Sequence, residues 1–369
     1  MSDLRVDVAV VGAGLMGSAT AWQLARRGVS VALVEAFGAG HVHGSSHGTS
    51  RIVRRAYADP FWVRLTGRAY DAWAEAEDDT GTALLRTTGG LDTGARRDPV
   101  GLARLMAAEG VPHELLSAGE AEARWPGMRF DGPVLFHPEG AVLDADAAVA
   151  AWVRRVRGLG GTVLERTRVL AVEPDGGGAR VVTDGPELTA GSVVVAAGPW
   201  LPELPLGLPL PPLTVTQQQV FHFRQRDPAA AWPTFVHKGD LQLFGLPSGA
   251  DGGPRPAVKV AQHDGGRPTT ASTRDGVVDP ASRERVTAFV REWLPGLDPE
   301  PVAQGSCLYT VTPDEDFLLD RVGPVVVASP CSGHGAKFAA LIGRMAADLA
   351  LGAAEVEPRF ALSRMGSLV

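Results

Sequence analysis

A glycine-rich loop near the start of the chain restricts most strongly how the chain can fold. The loop, GAGLMG at residues 12–17, follows an apolar run at residues 8–11 and opens a helical pattern that ends before Gly28. A second apolar run ends in Glu35, 18 residues after Gly17. In this strand–helix–strand order, glycine amides can approach a pyrophosphate, and the acidic residue can accept hydrogen bonds from a ribose. The loop therefore predicts a dinucleotide site; an ordinary tight turn is the alternative, and FAD and NAD use the same device.

The composition argues against several classes of partner. The chain has 369 residues, enough for a large core and one or two domains, and a formal net charge of −7. This acidic balance argues against nucleic acid, which needs a basic face. No apolar run approaches the length of a membrane span. With two cysteines and no export signal, we expect a cytoplasmic protein without a disulfide framework.

The rest of the chain mixes parallel α/β patterns at both ends with antiparallel patterns between them. Asp-Pro pairs at residues 59–60, 98–99 and 279–280 predict helix starts, because aspartate caps a helix and proline fits its first turn. Residues 214–223 alternate like a long, half-exposed strand. The proline-rich stretch 202–212 is the expected crossing between two domains. This order predicts a nucleotide-binding domain assembled from separated segments.

Lysine is nearly absent from the chain, so each lysine that remains is informative. Only three of the 35 basic residues are lysines, namely Lys238, Lys259 and Lys337. Lys259 interrupts the apolar strand pattern 257–261, where a charge is costly unless it is paired or functional. Lys238 lies in the polar run 237–240 and is expected in a solvated loop. Chance survival is the alternative for any one lysine, but a compact ammonium also does what a planar guanidinium cannot.

The C-terminal part of the chain carries the motifs that indicate its chemistry. The stretch CLYTVTPD at residues 307–314 and the turn SGHGAKF at residues 332–338 bring a lone thiol, a tyrosine and a lysine beside a second glycine-rich turn. Together with GSSHGTSRIVR at residues 44–54, and with Lys259 four residues before His263, these motifs resemble the monomeric sarcosine oxidase and N-methyltryptophan oxidase family. That family lies within the D-amino-acid-oxidase-like flavoproteins, and the resemblance extends over nearly the whole chain.

The resemblance implies the fold. It implies an α/β protein in which a Rossmann-like FAD-binding domain is built from the discontinuous segments 1–84, 143–211 and 311–369. Residues 85–142 and 212–310 would form an α+β substrate domain with a large antiparallel sheet.

The resemblance also implies the cofactor, which is FAD attached covalently through Cys307. A buried free cysteine is the alternative for this thiol. Cys331 would line the pocket, and attachment of the flavin there instead of at Cys307 is the alternative. The residues expected to contact FAD are Gly12, Ala13, Gly14, Gly17, Glu35, Ser45, His47, Thr49, Ser50, Arg51, Val169, Ala197, Gly198, Trp200, Cys307, Gly333, His334, Gly335 and Lys337.

How substrate and oxygen are bound follows from the same resemblance. Arg54 and Lys337 would receive the substrate carboxylate, although a surface arginine is the alternative for Arg54. Lys259 would sit by flavin N5 through a water and assist oxygen, with Arg51 and His47 near the ring. The expected catalytic residues are Lys259, Arg51, His263 and Tyr309, and the expected substrate-binding residues are Arg54, Lys337, Phe244 and Tyr309.

The implied reaction oxidises the C–N bond of a secondary α-amino acid, N-methylated or cyclic, to an imine that hydrolyses, while O2 is reduced to H2O2. The expected partners are this small amino acid or amine and O2, with no nucleic acid and no membrane, and the expected state is a monomer. No metal site is expected, because His41, His43 and His47 have no further ligands at metal-binding spacing.

Several positions depart from the family pattern. Phe244 stands where relatives often carry a tyrosine, residues 248–256 look extended, and Ala336 and Cys331 are smaller than the residues common there. These departures predict a roomier pocket than sarcosine needs. The alternative function is that of an oxidase or dehydrogenase of a cyclic imino acid, such as a pipecolate-like ring, in a biosynthetic pathway. A nicotinamide dehydrogenase and a non-catalytic dinucleotide-binding subunit are alternatives from other classes. The dehydrogenase leaves Cys307, Lys259 and the turn at residues 332–337 without a purpose, and the non-catalytic subunit does not explain why lysine persists at the two motif positions of a lysine-poor chain.

Overall fold

The computed structural model describes residues 4–366, which form three β-sheets with helices packed against them. Within this range the chain has 20 strands and seven α-helices. The strands are β1 (Leu4–Val11), β2 (Val31–Val34), β3 (Arg51–Val53), β4 (Leu85–Thr87), β5 (Gly90–Thr93), β6 (Glu114–Leu116), β7 (Val134–His137), β8 (Ala141–Leu143), β9 (Thr162–Leu164), β10 (Val169–Asp175), β11 (Gly178–Thr183), β12 (Leu188–Val195), β13 (Thr214–Gln225), β14 (Thr234–Lys238), β15 (Gln242–Pro247), β16 (Ala257–Gln262), β17 (Arg267–Thr269), β18 (Leu297–Val311), β19 (Leu318–Val322) and β20 (Val325–Ser329). The α-helices are α1 (Leu15–Ala25), α2 (Pro60–Thr80), α3 (Pro99–Ala108), α4 (Ala118–Arg124), α5 (Ala145–Gly158), α6 (Pro280–Trp293) and α7 (Ala339–Ala350).

The first sheet has a parallel core in the order β20, β12, β1, β2 and β9. These strands are valine-rich and mostly buried, as is typical of parallel strands that are covered on both faces. On one face, Val8 and Val10 of β1 share a core with helices α1, α5 and α7. On the other face, Ala9 and Val11 pack with Leu201 and neighbouring apolar side chains. The glycine loop joins β1 to α1 at the carboxyl edge of this sheet, where dinucleotides bind in such folds.

The second sheet contains nine strands within residues 4–366 and is antiparallel except where β14 pairs with β5. One of its two longest strands, β13, pairs with the other, β18, on one edge and with β16 and β17 on the opposite edge. The prediction that residues 214–223 are half-exposed is wrong, because most of β13 is buried. Its glutamines tolerate burial because they are hydrogen-bonded: the Gln217 amide donates to Asp275, and the Gln219 carbonyl accepts from the Asp279 amide.

The three helix starts predicted from Asp-Pro pairs are confirmed. The carboxylate of Asp59 accepts a hydrogen bond from the Phe61 amide at 2.8 Å and opens α2. Asp98 and Asp279 accept in the same way from amides in the first turns of α3 and α6, each at 3.0 Å. Each cap satisfies a backbone donor that the helix itself leaves unpaired.

The strands of the two large sheets come from different parts of the chain. The parallel sheet uses residues 4–34, 162–195 and 318–329, and the other large sheet uses residues 90–137 and 214–311. The proline-rich stretch leads from β12 of one sheet to β13 of the other. A small third sheet, β3–β8–β4, joins segments on both sides of the expected boundaries, so the division into two domains stays a prediction. No helix in the described part of the chain is long and apolar enough to cross a bilayer.

Candidate functional site

The glycine loop is shaped by contacts that a side chain would block. A Cβ on Gly12, whose φ is +95°, would lie 2.5 Å from the Ala196 carbonyl oxygen. On Gly17 it would lie 1.8 Å from the Gly12 carbonyl oxygen, so this third glycine allows α1 to pack against the loop. Gly17 lines neither of the two cavities described below, and its role is packing. The loop thus keeps bare backbone at the N-terminus of α1, where a pyrophosphate can bind.

Glu35 closes the loop at the end of β2. Its carboxylate accepts hydrogen bonds from the Ala13 amide at 2.7 Å and from the Phe37 amide at 2.9 Å, and it lies 3.3 Å from Nε2 of His41. Burial works to raise the pKa of Glu35, but the bonds from His41, Ala13 and Phe37 together lower it. The carboxylate therefore stays charged beside the loop, where it can accept from a ribose.

A cavity of ≈ 280 Å³ opens beside the loop. Nine of the residues expected on the cofactor line it, namely Gly12, Ala13, Gly14, Glu35, Ser45, Val169, Ala197, Gly198 and Trp200. His41 and His43 pack here against aromatic rings, with 4.5 Å between the ring centres of His43 and Phe37. No group of three metal-ligating side chains is present among residues 4–366.

A second, larger cavity of ≈ 600 Å³ adjoins the first. The two cavities share Gly14, Ser45, Ser46, Ala196 and Gly198 in their walls, so they meet at the glycine loop. An elongated dinucleotide with a ring system at one end fits this arrangement, because one cavity can take the nucleotide and the other the ring. The larger cavity is also lined by all the expected catalytic and substrate-binding residues, namely Arg51, Arg54, Phe244, Lys259, His263, Tyr309 and Lys337.

Arg51 provides a fixed positive charge in the larger cavity. Its guanidinium donates to the backbone carbonyls of Ser45, His47 and Ser50, and it forms no ion pair with a carboxylate within residues 4–366. Burial, followed by the charge of Arg51, lowers the pKa of His47 to about 4, so that imidazole is neutral near pH 7. Nε2 of His47 is buried without a hydrogen-bond partner among the described residues, as expected for a group that bonds to a ligand when one is present.

Lys259 is buried to 2% exposure on β16 and is held by two acceptors. Its ammonium donates to the carboxylate of Asp251 at 2.6 Å and to the Ser50 carbonyl at 3.1 Å. Burial and then the charge of Arg51 lower the pKa of Lys259 to about 8, while Asp251 raises it. The ion pair therefore keeps a desolvated ammonium charged and fixed in position.

The sequence does not predict Asp251; its only signal is that the segment 248–256, which contains Asp251, looks extended. Its carboxylate accepts from the hydroxyl of Thr49 at 2.9 Å and from that of Ser50 at 3.1 Å. Burial works to raise the pKa of Asp251, but Lys259 outweighs it and holds that pKa well below the usual value. Thr49, expected on the cofactor, lines neither cavity and instead orients this carboxylate.

Both cysteines face the larger cavity. The sulfur of Cys331 accepts a hydrogen bond from the Thr310 amide at 3.3 Å. Burial raises the pKa of the Cys307 thiol, and the charges of Arg51 and Lys259 act against that increase. Cys307 is therefore the thiol with cations positioned to favour its nucleophilic thiolate.

Arg54 and Lys337 lie against one aromatic ring. The guanidinium of Arg54 lies 4.5 Å from the centre of the Tyr57 ring, and Nζ of Lys337 lies 5.6 Å from it. The Lys337 ammonium also donates to the His334 carbonyl at 2.7 Å. Burial lowers the pKa of Lys337 far below its ordinary value, and Arg54 lowers it further. A bound carboxylate would relieve this repulsion between two buried cations.

Aromatic rings form part of the wall of the larger cavity, here called the aromatic wall. The ring centre of His263 lies 6.5 Å from that of Phe244 and 5.6 Å from that of Tyr309. A Cβ on Gly333, whose φ is +74°, would lie 2.8 Å from both the His263 and the Tyr309 rings. The pKa of His263 falls to about 4, because of burial and then the charge of Lys238, so this imidazole is neutral near pH 7.

The prediction that Lys238 lies in a solvated loop is wrong. Lys238 is the last residue of β14, half-buried, and it lines the larger cavity. The polar run 237–240 looks like a turn in the sequence, whereas pairing with β5 continues the strand to His237 and pairing with β15 continues it to Lys238. All three lysines of the chain therefore line the same cavity, and the scarcity of lysine was the signal that could have identified Lys238.

Comparison with known proteins identifies the family. A sequence profile of the family described as FAD dependent oxidoreductase matches residues 7–349. Peroxisomal sarcosine oxidase of Homo sapiens is 35% identical over 363 residues, which cover 94% of this chain and 92% of the relative. Monomeric sarcosine oxidase of Bacillus sp. (strain B-0618) is 33% identical over 369 residues, with the same coverage. The open form of NikD, an unusual amino acid oxidase essential for nikkomycin biosynthesis, has a TM-score of 0.87 at 28% identity and covers 97% of both chains. The chain belongs to the FAD-dependent oxidoreductase family.

Proposed function

We propose that the protein is an oxidase of secondary α-amino acids, N-methylated or cyclic. The C–N bond of the substrate is oxidised to an imine that water hydrolyses, and O2 is reduced to H2O2. FAD, when bound, takes two electrons from the amine and passes them to O2. One observation carries the proposal: two buried cations suited to a carboxylate, Arg54 and Lys337, share a cavity with the ion-paired Lys259. The relatives named as sarcosine and amino acid oxidases support it.

Arg54 and Lys337 are proposed to bind and orient the substrate carboxylate. Two cations on one side of the cavity would fix the amino acid and reject an amine that lacks the carboxylate. Across the cavity, Phe244 and Tyr309 would enclose the rest of the substrate. His263, neutral near pH 7, can accept a hydrogen bond from the amine without adding a positive charge beside it.

Lys259 is proposed to assist oxygen. Its ammonium is desolvated and already fixed by Asp251 and Ser50, so it can stabilise negative charge that develops on oxygen without reorganising. The charge of Arg51 adds to this stabilisation, and it also favours any negative charge on the bound ring system. The monomeric state and the cytoplasmic location of the protein stay predictions.

Covalent attachment of FAD through Cys307 is part of the proposal and gives a direct prediction. In acid-precipitated wild-type protein the yellow colour is expected to stay with the pellet, because a thioether survives denaturation. In Cys307→Ser the colour is expected to move to the supernatant, whereas Cys331→Ser, the matched control, keeps it in the pellet. Colour released from the wild-type protein, or retained by Cys307→Ser, contradicts this assignment.

Replacing Asp251 with asparagine is expected to change how the oxygen reaction depends on pH. The reaction uses the ammonium form of Lys259, so its rate should fall as pH rises through about 8, where Lys259 loses its proton. Asp251 raises that pKa, so in Asp251→Asn the fall is expected at lower pH.

Stopped-flow reoxidation of the reduced enzyme from pH 6 to 9 measures this shift. The matched control is Asp240→Asn, because Asp240 is fully exposed and only 3.9 Å from Arg96 at the surface. Superimposable profiles for wild type and Asp251→Asn would show that the carboxylate does not support the Lys259 charge.

The size of the cavity bears on which secondary amino acid is used. At ≈ 600 Å³ the larger cavity has space beside a ring system, and Phe244 presents no hydroxyl to it. A cyclic amino acid such as pipecolate is therefore the second candidate substrate. Oxygen uptake with sarcosine, bulkier N-methyl amino acids and pipecolate decides between them; a strong preference for sarcosine contradicts the roomier pocket.

A further inference from the structure

The substrate end of the larger cavity carries more positive charge than one α-carboxylate requires. Four cationic side chains line it there: Arg54, Arg97, Lys238 and Lys337, here called the cation cluster. Their charges lie close enough to lower one another's pKa values, as Arg97 and Arg54 do for Lys238 and for Lys337. Arg54 and Lys337 are already assigned to the α-carboxylate. The other two members are not explained by that role.

Arg97 is largely neutralised by the protein itself. Its Nε donates to the carboxylate of Asp92 at 2.5 Å, and a second nitrogen donates to the Ala56 carbonyl at 2.6 Å. Asp92 is fully buried, and it holds Arg97 at the cavity wall. Its carboxylate charge offsets that of Arg97, so Lys238 is the remaining cation to explain.

Lys238 projects into the cavity because of the register of two strands. It pairs with Gln242 across β14 and β15, and Val236 pairs with Phe244 two residues earlier. Alternate residues of a strand share a face, so Lys238 lies on the same face as Phe244. All four of these side chains line the larger cavity. Lys238 thus lies next to Phe244 of the aromatic wall.

The charge of Lys238 is not balanced by the protein. On the neighbouring segment, Arg96 forms an ion pair with Asp240 and Arg97 forms one with Asp92. No carboxylate within residues 4–366 forms an ion pair with Lys238. Burial lowers the pKa of Lys238 and the charges of Arg97 and Arg54 lower it further, against the opposing effect of Glu315. A half-buried ammonium crowded by other cations is unfavourable unless an anion joins them.

We propose that Lys238 binds a second anionic group, a carboxylate on the side chain of the substrate. The substrate class is then a secondary amino dicarboxylate, whose α-carboxylate lies at Arg54 and Lys337 and whose side-chain carboxylate lies at Lys238. A lysine suits this role because its flexible stem and compact charge can follow a carboxylate on side chains of differing length. This inference rests on the proposed function and narrows its substrate.

Calorimetric titration of the purified holoenzyme with glutarate and with butyrate tests the second anion site without turnover. Glutarate carries the extra carboxylate that butyrate lacks. In the wild-type enzyme glutarate is expected to bind about 10- to 100-fold more tightly than butyrate. Lys238→Met is expected to remove most of this preference, and Lys238→Arg to retain much of it. Arg96→Met, the matched control, removes a nearby exposed cation that does not line the cavity and should leave the preference unchanged.

Equal affinity of the wild-type enzyme for glutarate and butyrate overturns the proposal, as does a glutarate preference that survives Lys238→Met. The wild-type comparison uses no variant, so misfolding of a variant cannot explain away equal affinity.

Bleaching of the flavin by N-methylglutamate or N-methyl-2-aminobutyrate reports separately on oxidation. If the amines bleach the flavin and glutarate is not preferred, only the second anion site fails; if glutarate is preferred and neither amine bleaches it, only the oxidase function fails.

Discussion

Replacing Lys259 with methionine is expected to slow the reaction of the reduced enzyme with O2 by about 10²–10³-fold, the usual cost of removing one preorganised electrostatic stabiliser. The ammonium is buried at 2% exposure and already fixed by Asp251, so its removal leaves the more diffuse charge of Arg51 to stabilise the oxygen. The step at which the amine reduces the enzyme should change far less, because it does not need charge stabilisation on oxygen.

The measurement separates the two steps. Enzyme reduced by substrate without air is mixed with buffers of known O2 concentration, and recovery of the flavin absorbance gives the second-order rate constant. Lys337→Met, which alters the same cavity and removes a different buried lysine, is the matched control and should affect substrate reduction instead. Equal loss of both steps in Lys259→Met would show that the lysine is structural and has no special role toward oxygen.

Replacing Arg54 with methionine is expected to reduce kcat/KM for an amino acid substrate by about 10²–10³-fold, because truncating one side of a buried charge pair costs roughly 2–5 kcal/mol. The loss should be confined to substrates with a carboxylate, so the preference for sarcosine over dimethylamine should nearly vanish. Arg55→Met is the matched control: the neighbouring arginine forms an ion pair with Glu139 at 3.1 Å and lines neither cavity.

Steady-state kinetics with the two amines measures this selectivity. Thermal unfolding of each variant identifies loss of stability, which lowers the rate with both amines alike. A preference for sarcosine over dimethylamine that persists in a folded Arg54→Met enzyme would contradict the carboxylate site. It would leave Arg54 as a structural residue that holds the Ala56 carbonyl and stacks on Tyr57.

The sequence predicts those parts of the structure that depend on interactions between residues close together in the chain. The glycine loop, its strand–helix–strand setting and the Asp-Pro helix caps depend on neighbouring residues, and the structure has them where the sequence predicts them. Lys259 could be identified because a lone cation in an apolar strand is costly. Its place beside Cys307 in one cavity followed from the family resemblance and not from any short-range pattern.

The residues missed at the site depend on contacts between distant segments. Asp251 reaches Lys259 because Thr49 and Ser50, about 200 positions earlier, hold its carboxylate. Lys238 ends β14, a strand whose pairing with the far-upstream β5 reaches His237 and whose pairing with β15 reaches Lys238 itself. Neither pairing leaves a periodic signal in a single sequence, and a polar run with glycine looks the same in a loop and at the end of a strand.

Mixing the purified holoenzyme with a secondary amino acid without air, and then admitting O2, is the direct test of the proposed oxidase activity. Sarcosine, N-methylglutamate and pipecolate are the substrates to compare, and the visible spectrum and H2O2 are the readouts. We predict that at least one of them bleaches the flavin, and that air restores the colour with one H2O2 formed for each imine. A flavin that none of the three bleaches, or one that stays bleached in air, would contradict the proposal that this protein is a secondary amino acid oxidase.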